Sequence, residues 1–138
     1  MPARRRPRTS SAAERVKSLL GLEAEALMRR LEARRGQMIG LFSRHRDREA
    51  LLWPLRSSLP SAGFSDLAQL EPAVQRAASA FCEELDELRW YFQYTEDMPQ
   101  SAQGVFNQHL TRLRTAWGRL SAALGTRGRR GRSTSRAG

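Results

Sequence analysis

The sequence predicts an all-α protein: an antiparallel three-helix bundle flanked by disordered, arginine-rich arms. Three observations carry that prediction. Leucine occurs 18 times against three valines and one isoleucine, and unbranched side chains keep rotamer freedom in helices that Cβ-branched ones lose. Apolar residues recur at alternating steps of three and four along three separate stretches, the spacing of one helix face. The ends, 1–11 and 126–138, hold nine arginines and almost nothing apolar, too little burial to offset their ordering entropy. At 138 residues the chain fits one domain, here the helical body 12–125.

The first helix is expected over 12–53. Ser10 or Ser11 can cap it, and Glu14 follows Ser11 at capping-box spacing. Its seam reads Leu20, Ala24, Leu27, Leu31, Arg34, Met38, Leu41, His45, Arg48, Leu52, with seven of ten positions apolar. A straight helix of that span would be about 63 Å long, and Gly36 and Gly40 are the places where it should bend. Trp53-Pro54 should end it, since proline pushes the residue before it out of the α region. The seam weakens at Arg34, His45 and Arg48, so its second half should either overhang or meet another subunit, which makes a homodimer one expected state.

The stretch 54–71 (PLRSSLPSAGFSDLAQLE) reads as a connector, with Leu55, Leu59, Phe64, Leu67 and Leu70 packing it onto the body. Pro72 suits the first turn of a second helix, 72–95, where its missing N–H costs nothing. The second seam, Val74, Ala78, Phe81, Leu85, Leu88, Phe92, Thr95, is unbroken. Ser101 can cap a third helix, 102–124, with seam Phe106, Leu110, Leu113, Trp117, Leu120, Leu124 and Gly125 as its terminator. The short loop between helices two and three makes them antiparallel neighbours.

The formal net charge is +10, but it is unevenly placed. Residues 1–20 carry +5 and residues 126–138 another +5, while the body from 21 to 125 is neutral overall. Within that body, 71–98 carries −5. Flexible arginine arms imply long-range, salt-sensitive attraction to polyanions: DNA, RNA or anionic lipid. The candidate polyanion contacts are Arg4, Arg5, Arg6, Arg8, Arg127, Arg129, Arg130, Arg132 and Arg136. Arg127-Gly128-Arg129-Arg130-Gly131-Arg132 resembles the short Arg-Gly-rich tails of nucleic-acid-binding proteins. That resemblance implies contacts with phosphates and bases, but no aromatic residue is interleaved for base stacking, so sequence-specific reading is not expected. The bland alternative is a solubilising tail, and 23 arginines against one lysine fit a GC-rich genome as well as a phosphate ligand. Hydroxyls beside the arginines (Thr9, Ser10, Ser11, Ser133, Thr134, Ser135) could offset this charge if phosphorylated.

Trp90 and Tyr94 are an i, i+4 pair turned about 200° from the seam residue Leu88. The same outer side carries Glu83, Glu87 and Asp97. Arginine pairs with carboxylates and stacks on rings, so this face reads as a docking surface for a basic partner, the protein's own tail included. The alternative is that the first helix covers it with Arg29, Arg30, Arg34 and Arg35.

No catalytic motif emerges. Neither His45 nor His109 has a glutamate three residues before it, as a carboxylate-bridged di-metal bundle requires. His45 with Glu49 is a lone surface pair, Cys82 facing His109 across helices two and three is plain packing, and no glycine-rich phosphate loop follows a strand. One cysteine excludes a disulfide framework. No catalytic residue, cofactor or metal is expected. No apolar run is long enough for a membrane span, no signal-peptide core follows the basic start, and prolines 2 and 7 argue against a mitochondrial leader. The expected setting is intracellular and soluble, in cytoplasm, nucleoid or nucleus. Two function classes follow: a non-enzymatic nucleic-acid-associating protein whose bundle binds a partner or itself, or a scaffold with merely solubilising arms. Peripheral binding to anionic membrane ranks third, because Glu14, Glu23, Glu25 and Glu32 dilute the basic face of the first helix.

Overall fold

The computed structural model describes residues 6–57 and 67–125, with side chains from residue 12 onward. Every regular element among them is helical: α1 (Arg6–His45), α2 (Glu49–Leu52), a 3-10 turn (Trp53–Leu55), α3 (Pro72–Tyr94) and α4 (Pro99–Ala123). None of these helices is long and apolar enough to cross a membrane.

α1 differs from the expected first helix at both ends. It begins at Arg6, so residues 6–11 of the N-terminal arm form its first turns, and Ser10 and Ser11 lie inside the helix instead of capping it. Pro7 permits this, since its locked φ suits a helix and its missing N–H is not needed in the first turn. The helix is unbroken through Gly36 and Gly40 but ends at His45, eight residues before Trp53. Arg46 takes a left-handed φ of 55°, its N–H donating to the Phe42 carbonyl at 2.8 Å while its guanidinium lies 5.2 Å from the Phe42 ring centroid. Asp47 then accepts a hydrogen bond from the Glu49 N–H at 3.0 Å and starts α2. Pro54 falls within the 3-10 turn.

The other termini follow proline and glycine. Pro72 and Pro99 each occupy the first turn of their helix, so α4 starts three residues before the expected 102 and Ser101 lies within it. Gly125, at φ 89°, donates its N–H to the Ala122 carbonyl at 3.0 Å and closes α4.

The core forms along the seams. Val74, Ala78, Phe81, Leu85, Leu88 and Phe92 of α3 are buried, as is Thr95 just beyond it. Phe106, Leu110, Leu113 and Leu120 of α4 are buried, with Trp117 and Leu124 packed against them. α1 contributes Leu20, Ala24, Leu27, Leu31 and Met38, then Phe42 in place of the expected Leu41. An undistorted helix repeats every 3.6 residues, so a seam followed at 3.5 drifts about 20° per heptad. Six turns beyond Leu20, the 3.6 repeat falls nearer Phe42.

Named pairs tie the elements together. Phe81 meets Trp117 and Phe92 meets Phe106 between α3 and α4, with ring centroids 6.4 and 5.1 Å apart. Arg35 of α1 donates to Asn107 of α4 at 3.1 Å, and Glu32 pairs with Arg114. Leu55 and Leu70 are buried, Leu67 packs against the core, and Arg30 Nε donates to the Pro54 carbonyl at 3.0 Å, so the described parts of the connector pack onto the body. Leu59 and Phe64 lie outside the described residues.

Candidate functional site

The outer face of α3 presents Trp90 and Tyr94 at 67% and 61% exposure, their ring centroids 5.0 Å apart. Glu83 and Glu87 are also exposed. Steps of four, three and four connect these residues, so they form one stripe opposite the core seam. α1 does not cover it, because its arginines are engaged elsewhere. Arg29 pairs with Glu25 at 3.2 Å, Arg30 bonds the Pro54 carbonyl, Arg34 lies over the Trp53 ring and Arg35 bonds Asn107. Asp97 leaves the stripe and accepts a hydrogen bond from the Tyr91 hydroxyl at 2.6 Å. Burial, then that hydrogen bond, pushes the Tyr91 phenol above its ordinary range.

A second constellation lies where α3 meets α4, and no sequence motif announces it. Glu84 and Glu87 stand one turn apart on α3, and His109 faces them from α4, with one donor atom from each within 4.8 Å of the others. His109 is only 8% exposed, and its ring centroid is 5.8 Å from that of Tyr91. Arg112 Nε donates to Glu84 Oε1 at 3.2 Å, and its Nη2 lies 3.1 Å from His109 Nδ1. Burial first, and the Arg112 cation second, lower the His109 pKa, while Glu87 and Glu84 pull it the other way. The only signal in the sequence was the acidic run Glu83–Glu87 on a helix expected to neighbour the third.

Cys82 is half-buried, and burial, with the nearby Asp86 carboxylate, pushes its thiol up and away from a reactive thiolate. His45 and Glu49 fall on different elements because the helix breaks between them. An open cleft beside the Trp53–Leu55 turn is lined by Arg34, Gln37, Met38, Leu41, Ala50, Trp53 and Pro54. It holds no acid, histidine, thiol or hydroxyl.

Of the arm arginines, Arg6 and Arg8 lie on the backbone of the first turns of α1. Arg4, Arg5, Arg127, Arg129, Arg130, Arg132 and Arg136 lie outside the described residues. Compared with known proteins, the chain matches no family model, no curated protein and no solved structure.

Proposed function

We propose that this is a non-enzymatic interaction protein, an antiparallel three-helix bundle that docks a basic protein segment on the outer face of α3. Its arginine-rich arms associate with nucleic acid without sequence preference. The bundle arrangement is supported by the order of the interhelical pairs. Residues 81, 92 of α3 meet 117, 106 of α4, and residues 32, 35 of α1 meet 114, 107. Sequence rises along one helix as it falls along the other.

The observation that carries the docking function is the exposed Trp90–Tyr94 pair beside Glu83 and Glu87. Two large rings on a rigid helix offer contact area at low conformational-entropy cost, and carboxylates beside them complement an arginine that pairs and stacks at once. The test is titration of an arginine-rich peptide into the full chain and into W90A/Y94A. The double variant should bind at least tenfold more weakly with an unchanged melting temperature. Equal affinity, or a collapse of stability, defeats the reading.

The nucleic-acid part rests on the charge placed at the two ends. Binding of a mixed-sequence duplex should fall steeply between about 50 and 200 mM salt, and should disappear when the nine arm arginines are replaced by glutamine. A full chain that ignores DNA and RNA at 50 mM salt leaves the scaffold function alone, with the arms as solubilisers. Self-association through α1 is the second partner proposal, in a soluble intracellular setting. Light scattering that shows a strict monomer at about 100 μM excludes a homodimer.

A further inference from the structure

We infer that Glu84, Glu87 and His109 form a site for a divalent transition-metal ion of the Zn2+ type, in which the Arg112 guanidinium is the resident cation. The argument starts from what a guanidinium can do. It donates and never accepts, so the His109 Nδ1 that lies 3.1 Å from Arg112 Nη2 presents a lone pair to it. The same guanidinium receives the lone pair of Glu84 Oε1 at 3.2 Å. A nitrogen and an oxygen donor thus converge on one positive group, as they would on a Lewis acid, and Glu87 supplies a third donor within the 4.8 Å cluster.

The donor set suits the ion. Imidazole and carboxylate together favour Zn2+ and its neighbours over Mg2+ or Ca2+. Three protein ligands leave a fourth tetrahedral position to water. Bonds of 2.0–2.2 Å place tetrahedral donors about 3.3–3.6 Å apart, so donors that lie within 4.8 Å of one another need contract by at most about 1.5 Å, which glutamate rotamers can supply. The histidine is the fixed member: buried, packed beside Tyr91, and on the other helix. Arg112 is the movable one, its side chain 47% exposed and free to turn to solvent. Metal and Arg112 therefore compete for the same lone pairs, and a bound ion would link α3 to α4.

Competition gives the test a sign. Zn2+ is titrated into the full chain against a chromophoric chelator, with the melting temperature followed in parallel. One equivalent should bind and raise the melting temperature. E87Q, which alters an exposed residue, should weaken binding at least tenfold, and H45N should leave it unchanged. R112Q should tighten binding about tenfold, the opposite of what loss of a structural arginine does. Absence of saturable binding up to 1 mM Zn2+, E87Q binding like the parent chain, or R112Q failing to tighten would each overturn the site.

Discussion

Glu32 of α1 and Arg114 of α4 are joined by two hydrogen bonds, Nε to Oε2 at 2.7 Å and Nη2 to Oε1 at 3.1 Å. The planar guanidinium matches the carboxylate fork, so the pair fixes orientation as well as distance. It also registers α1 against α4 across 82 residues of sequence.

That pairing has a pH signature. Hydrogen bonding to Arg114 is the largest influence on Glu32 and holds its carboxyl below the usual glutamate range, against an opposing effect of burial. Because the folded pKa is the lower one, the unfolded chain takes up the proton first. The pair's contribution is therefore complete above the ordinary value of about 4.3 and is lost as pH falls through the folded pKa. Both side chains are roughly 40–46% exposed, so solvent screening limits the contribution to about 0.5 kcal/mol. Urea unfolding of the parent and E32Q should differ by that amount at pH 7 and converge once the pH has fallen below the lowered folded pKa of Glu32. A constant difference would assign the effect to packing.

The interior and the surface should respond very differently to truncation. Phe106 is fully buried with its ring edge-on to Phe92, so F106A loses both apolar transfer and ring packing and should cost about 3–5 kcal/mol. Leu22, on the outside of α1, is 61% exposed, and L22A should stay within about 0.5 kcal/mol. Denaturant midpoints of the two variants check the contrast.

What the sequence disclosed depended on how locally each feature is determined. The α3 seam from Val74 to Phe92 was legible because six apolar positions at unbroken helical spacing leave one face to bury. Pro72 and Gly125 marked ends through their own backbone chemistry. The second half of α1 was not legible, because Leu41 and Phe42 are both apolar and only the accumulated helical phase selects between them. Nor was the break at Arg46, where a residue without turn preference is held left-handed beside the Phe42 ring. The angle of Trp90 could be read from spacing, but whether α1 covered it depended on where four arginines found partners. Glu84 and His109 needed the register of α3 against α4, which no local pattern encodes.

Two glycines should answer the same substitution with opposite signs. A Cβ added at Gly36 or at Gly125 would meet nothing within 4 Å, so backbone conformation alone decides. Gly36 lies inside α1, where alanine is the better helix former by about 0.8–1 kcal/mol, and G36A should raise the melting temperature. Gly125 sits at φ 89°, which an L side chain resists, and G125A should lower stability by about 1 kcal/mol. Thermal melts of the two variants suffice, and the same sign for both would refute the backbone argument.

Arg48 gives the sharpest test of how α2 is fastened to the body. Its Nη1 donates to the Phe92 carbonyl at 3.0 Å and its Nη2 to the Thr95 carbonyl at 2.8 Å. It thus serves Phe92, one of the last carbonyls of α3, which lacks a partner within the helix. The guanidinium also lies 5.8 Å from the Phe42 ring centroid, linking the ends of α1 and α3. Hydrogen bonds from a charged donor contribute about 1.5–3 kcal/mol, so R48A should destabilise by about 2 kcal/mol. R48K keeps the charge but loses the planar fork, and should recover less than half of that. Glu96, 3.9 Å away and almost fully exposed, adds little, and E96Q should be silent. If R48K matched the parent while E96Q did not, the attraction would be a simple ion pair and the carbonyl cap would be incidental.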